Sequence, residues 1–355
     1  MRKPFLVSTV LLATIVACCS AGYAQSILEL PRPSQHAQVT QRIGLTDITI
    51  SYSRPLAKGR KVFGGLVPYG KVWRAGANEN TTMEFTDPVS IEGRPLPKGT
   101  YGLHMIPGEN EWTVILSRNF SSWGSYSYDQ KEDALRVTVK PQTGEAREAL
   151  AYEFDAVTPE SAMVTLRWDR VAVPFKVTVN QKEIVPAKLK LQLRSGSRYL
   201  WESWAEAADQ LLADKTDLAD ALEYANHSIQ VEQRFENLMT KAAVLDAMGR
   251  KDEAAPLRAD ALAMGNAMQI NSYGRQLQIS GHQDEAFAVF RENRKRYPDH
   301  FIVRYEEARM ACAKGDFDTA VKEMKIALAG STRDVQPFLQ GLLMRLEAKE
   351  DINKN

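Results

Sequence analysis

The hydrophobic period of this chain changes once, and that change restricts the folds open to it. Between residues 37 and 179 apolar side chains alternate: Ile48, Ile50 and Tyr52, then Trp112, Val114 and Leu116, then Val171, Val173, Phe175, Val177 and Val179. A period of two buries one face of a strand. After Pro186 the period lengthens to that of a helix, so two kinds of core follow one another along the chain. Turn signals such as Lys58-Gly59, Gly64-Gly65, Glu92-Gly93, Lys98-Gly99 and Pro107-Gly108 punctuate the first half. Their short spacing predicts an all-β antiparallel sandwich or barrel of about nine strands rather than a parallel sheet.

The second half carries a recurring element: Asp217-Leu218-Ala219-Asp220-Ala221, Lys251-Asp252-Glu253-Ala254, Gln283-Asp284-Glu285-Ala286 and Asp316-Phe317-Asp318-Thr319-Ala320. The terminal alanines lie 33, 32 and 34 residues apart. That is the tetratricopeptide period, in which pairs of antiparallel helices bury their apolar faces by stacking. The third unit is clearest, with Gly274, Ala286, Phe290 and Pro298 in the small, small, aromatic and terminator positions. Arg258 replaces the aromatic of the second unit and Thr332 the proline of the fourth. Residues 335–348 read as a capping helix.

The start of the chain follows the secretory plan, with Arg2 and Lys3 before an apolar run too short to span a bilayer. Two cleavage sites compete. Gly22-Tyr23-Ala24 is a small-x-small site, whereas Ile15-Val16-Ala17-Cys18 resembles a lipoprotein lipobox. The first predicts a periplasmic or secreted protein, the second an envelope lipoprotein anchored through Cys18. The expected plan is a leader at 1–24, a β-domain at 25–183, a linker at 184–196 and helical repeats at 197–355. No later stretch reads as a transmembrane helix. With cleavage after Ala24, Cys312 is the one cysteine left, and it reads as a small buried residue. The 45 basic and 44 acidic side chains cancel, which argues against a nucleic-acid partner.

Several separated motifs in the first half are familiar. They are Ile48-Thr49-Ile50-Ser51-Tyr52-Ser53-Arg54-Pro55, Val67-Pro68-Tyr69-Gly70-Lys71-Val72-Trp73-Arg74-Ala75-Gly76-Ala77-Asn78, Leu96-Pro97-Lys98-Gly99-Thr100-Tyr101 and Trp123-Gly124-Ser125-Tyr126-Ser127-Tyr128. Together they resemble the exported bacterial family known as domain of unknown function 2911, over about residues 30 to 180. The resemblance implies an exported β-domain and no activity. Members often carry a helical tail with counterparts of Trp201, Trp204, Asn237-Leu238-Met239-Thr240-Lys241 and Tyr273-Gly274.

Catalytic signatures are weak. Gly65-Leu66-Val67-Pro68-Tyr69-Gly70-Lys71-Val72 follows the phosphate-loop pattern until Val72 stands where magnesium needs a hydroxyl, so it reads as a glycine-rich β-connection. The five histidines show no metal-ligand spacing, no Gly-x-Ser-x-Gly elbow is present, and no cofactor or metal is expected. Binding groups concentrate instead at Arg74, Asn78, Glu79 and Asn80 and at Trp123, Tyr126, Tyr128 and Asp129. Arginine offers a fork for anions, amides orient hydroxyls, and aromatic faces suit sugars or cations. A purely structural reading stands beside this: Arg74 pairing with Glu79 or Asp129, and the aromatics plugging one end of the sandwich.

In the repeats, Arg275 and Arg309 fall at equivalent positions, with Asn271, Gln278 and Tyr305 nearby; they read as a groove for an acidic peptide or protein partner. The leading expectation is thus a non-catalytic binding or scaffolding protein of the cell envelope. The alternative is a carbohydrate-active or other hydrolytic enzyme, using Arg74, Asn78 and Glu79 with His104 as base. His104 is placed mid-strand, on the face opposite Tyr101, Leu103 and Met105.

Overall fold

The computed structural model describes residues 31–354, so the expected leader at 1–24 and Cys18 lie outside the described residues. The chain divides into two compact units between Val179 and Asn180.

The first unit contains β1 (Gln35–Ile43), β2 (Thr46–Arg54), β3 (Ala77–Phe85), β4 (Val89–Ile91), β5 (Arg94–Leu96), β6 (Gly99–Ile106), β7 (Trp112–Ser117), β8 (Asp133–Val139), β9 (Gln142–Asp155) and β10 (Ser161–Val179). They form two antiparallel sheets, ordered β1-β2-β3-β6-β7-β8 and β5-β4-β10-β9. This is a sandwich and not a barrel, with ten strands among the described residues where about nine were expected.

The alternation read from the sequence is the core. Ile48, Ile50, Met83, Phe85, Leu103 and Met105 from the larger sheet are fully buried, as are Ile91, Val164, Leu166, Phe175 and Val177 from the smaller. Aromatic contacts join the two layers: Tyr52 on β2 meets Tyr152 on β9 edge to face at 4.8 Å, and Phe63 bridges Trp112 and Trp168. The segment between β2 and β3 is held by Trp73, which exchanges backbone hydrogen bonds with Met105 at 2.8 Å and donates Nε1 to the Gly76 carbonyl at 3.0 Å. No helix follows the Gly65 to Lys71 motif, in agreement with its reading as a β-connection.

The second unit comprises α1 (Gln181–Gln192), α2 (Trp201–Ala213), α3 (Leu218–Val231), α4 (Phe235–Ala247), α5 (Lys251–Met264), α6 (Ala267–Ile279), α7 (Gln283–Arg296), α8 (Phe301–Ala313), α9 (Phe317–Gly330) and α10 (Gln336–Glu347). The stretch expected as a linker is thus mostly helix. Pro186 lies inside α1, where it removes one donor, and the adjacent Ile184 and Val185 are buried.

From α2 to α9 the helices pack as consecutive pairs. Ala221, Ala254, Ala286 and Ala320, the recurring small residues, have no solvent exposure, because a larger side chain would hold the paired helices apart. At Gly274 the close approach is explicit, since a Cβ there would stand 2.3 Å from Phe290 Cε1. Asn237 is buried and structural, its amide donating to Ser228 Oγ at 2.9 Å and to the Glu232 carbonyl at 2.7 Å. Among the described residues no helix is long and apolar enough to cross a membrane.

Candidate functional site

The outward face of the six-stranded sheet is where the first unit gathers polar groups. On β2, Ser51 and Ser53 alternate with the core residues Ile50 and Tyr52; on β3, Asn80 and Thr82 alternate with Thr81 and Met83. The β7–β8 connection lies back over this face, with Asn80 N–H donating to the Ser122 carbonyl at 3.3 Å and the Asn80 amide to the Asn119 carbonyl at 3.4 Å.

Between that connection and β1 lies a cleft of about 650 Å³. Its hydroxyls come from Ser34, Ser51, Ser53, Thr82, Ser121 and Ser122, its amides from Gln35, Asn78 and Asn80, and its aromatic walls from Phe120 and Trp123. Trp123 is 54% exposed. Asn78 adopts φ +58°, a left-handed conformation that Asn tolerates, at the point where the β2–β3 register shifts. Its amide donates to the Ser34 carbonyl at 3.0 Å. Glu79 pairs with Arg32, whose guanidinium also lies 5.6 Å from the Trp123 ring. Burial raises the Glu79 carboxyl pKa, but a backbone hydrogen bond and Arg32 outweigh it and hold the group below its ordinary range. Asn80 Oδ1 is buried and has no hydrogen-bond partner among the described residues.

Residues 34–177 match the family described as protein of unknown function (DUF2911). The match takes in the cleft apart from Arg32, and almost the whole sandwich, as the motif resemblance implied. No curated protein matches the chain.

The remaining sequence candidates in the DUF2911 stretch separate from the cleft. Arg74 pairs with neither Glu79 nor Asp129: its guanidinium lies 5.9 Å from the Tyr126 ring. The chain passes over it at Gly124, where a Cβ would come 2.1 Å from Arg74 Nη1. Asp129 instead accepts from Lys131 N–H at 2.9 Å and caps a short 3-10 turn.

His104 points away from the core, as expected, but is only 2% exposed beneath the same connection. Its Nδ1 lies 2.8 Å from Ser125 Oγ, and its ring packs 5.4 Å from that of Tyr128. Tyr128 donates to Asp133 at 2.8 Å and accepts from Arg136 Nη2 at 2.7 Å. Burial lowers the His104 pKa to about 4 despite Asp133, so the ring is neutral at physiological pH. Sequence reading missed Ser125, Asp133 and Arg136 here and Arg32, Ser51, Ser53 and Thr82 in the cleft; the strand alternation places the last three on one face.

The repeat candidates divide in the same way. Asn271 is buried and donates to Glu306 Oε1 at 3.0 Å, and Asn293 donates to the same oxygen at 2.8 Å. Burial outweighs both bonds and lifts the Glu306 carboxyl to about 8, so it is protonated at neutral pH. Arg309, expected to face an open groove, is instead 3% exposed. Its guanidinium lies 5.0 Å from the Tyr305 ring, and Nε donates to Tyr305 OH at 2.6 Å. Arg275 and Gln278 are half-buried and hydrogen-bonded to each other. Cys312 is a buried free thiol. Among the described residues no three His, Cys, Asp or Glu side chains gather as metal ligands.

Proposed function

We propose that this chain is an exported, non-catalytic binding protein of the cell envelope that holds a carbohydrate-like ligand in its β-domain cleft. Tetratricopeptide-like repeats serve as its scaffolding arm. Export follows from the leader read at 1–24. The observation that carries the ligand class is Asn80, whose buried Oδ1 lacks a partner among the described residues, in a cleft lined mostly by hydroxyls, amides and aromatic rings, the exposed indole of Trp123 among them. A ligand hydroxyl would supply the missing donor, and the flat aromatic face would cover the apolar side of a sugar ring. The paired charges of Arg32 and Glu79 leave the cleft without a strong field, which suits a neutral polar ligand.

Binding is favoured over glycoside hydrolysis because Glu79 is the sole carboxylate lining the cleft among the described residues, and both common mechanisms use two. One observation supports the hydrolytic alternative, the Ser125 and His104 contact at 2.8 Å. That pair lies outside the cleft lining, and the nearby carboxylate of Asp133 is hydrogen-bonded to Tyr128 rather than to the imidazole. An oligosaccharide array probed with the parent protein and with Trp123→Ala tests the proposal. Saturable binding that the substitution abolishes is expected; binding unaffected by it, or none to any oligosaccharide, contradicts the reading.

A further inference from the structure

The segment after α10 packs back on α6 and α8 as a ligand would. The chain reverses at Lys349, which has φ +58°. Ile352 is then 2% exposed within the apolar cluster of α8, α9 and α10. Arg309 Nη1 donates to the Ile352 carbonyl and to Asn353 Oδ1, both at 3.0 Å. Gln278 Nε2 donates to the same Oδ1 at 3.2 Å, and Asn353 Nδ2 donates to the Arg309 carbonyl at 3.1 Å. Both ends of the carboxamide are therefore read. An aspartate in its place would set an oxygen against the Arg309 carbonyl. Asp351 Oδ1 holds the turn, accepting from Asn353 N–H at 2.9 Å and from the Cys312 thiol at 3.4 Å.

We propose that the α6 and α8 surface around Arg309 is a peptide-docking site that reads an acid, a large aliphatic residue and an asparagine in succession, filled in cis by Asp351-Ile352-Asn353. The partner is an extended segment of another protein carrying that succession. The site is separate from the β-domain cleft and does not rest on its reading.

Two features make the segment exchangeable rather than a fixed strap. The first is charge. Neither Arg275 nor Arg309 makes an ion pair among the described residues, and burial together with Arg309 lowers the Arg275 pKa. The positive charge of the site thus has no ion-pair partner there, and the cis stretch Glu350-Asp351-Ile352-Asn353 lies between two lysines, Lys349 and Lys354. A peptide with acids in place of these two lysines would gain an attraction that the cis segment lacks. The second is the balance of forces: one buried aliphatic side chain and a few hydrogen bonds oppose the entropy of ordering a segment with no regular secondary structure.

The test uses the chain with Ile352→Ser and Asn353→Ala together, and a fluorescent peptide of sequence Glu-Glu-Asp-Ile-Asn-Glu. Anisotropy should show saturable binding to this variant, tighter than to the parent by about tenfold, and weakened about tenfold when leucine replaces the peptide asparagine. No saturable binding to a variant that keeps the parent's helical circular dichroism overturns the proposal. If the double substitution unfolds the repeats, hydrogen exchange on the unsubstituted chain decides. The Glu350 and Asn353 amides should then exchange at least about tenfold faster than those of α8, and exchange together with α8 overturns it.

Discussion

Ser125 Oγ lies 2.8 Å from Nδ1 of His104, joining a loop hydroxyl to a buried strand imidazole that packs against Tyr128. The contact has the reach of a nucleophile and base but not the setting, because the imidazole lacks an orienting carboxylate and the pair is not part of the cleft lining. A fluorophosphonate probe of serine nucleophiles should leave Ser125 unlabelled. Labelling that disappears in Ser125→Ala would put the hydrolytic alternative ahead.

The same imidazole makes the β-domain acid-sensitive. Its pKa is lowered from 6.5 to about 4, so the stability tied to the neutral ring is complete above 6.5 and lost as pH falls through 4. The drop corresponds to about 3 kcal/mol. His104→Gln should flatten the dependence between pH 6.5 and 4 in denaturant titrations of the β-unit; an unchanged slope would mean that the ring stays accessible to protons.

Glu306 gives the helical unit the opposite sensitivity. Its carboxyl is raised from 4.5 to about 8, so its stability contribution is complete below 4.5 and lost as pH rises through 8. Glu306→Gln should stabilise the repeats at pH 9 by on the order of 4 kcal/mol and change little at pH 5. Equal effects at both pH values would show that Glu306 is not protonated in the folded state.

Gly274 and Phe290 form a close repeat contact, because a β-carbon added at Gly274 would stand 2.3 Å from the ring. Gly274→Ala should therefore destabilise by about 1 to 3 kcal/mol, although alanine is the better helix former. Thermal unfolding checks this, and Phe290→Leu in the same chain should restore part of the loss. A stabilised Gly274→Ala would contradict the packing.

What the sequence reveals follows from distance along the chain. The alternation of Ile48, Ile50 and Tyr52 states both the strand and its buried face, and the same rule turns His104 outward. The recurring alanines state the repeat contacts because each packs on a neighbouring helix. Arg32 pairing with Glu79 and Ser125 meeting His104 depend on irregular connections, which carry no period to read. Arg309 is the hardest to place from sequence, since its burial depends on Ile352 and Asn353, 43 and 44 residues onward in a segment without regular structure.

The most direct test of the binding account is hydrogen exchange of the β-unit with and without an oligosaccharide recovered from the array. Slowed exchange confined to β2, β3 and residues 119–123 around Asn80 and Trp123 is expected. Slowed exchange in the helical repeats alone, with the cleft unchanged at saturating ligand, would contradict it.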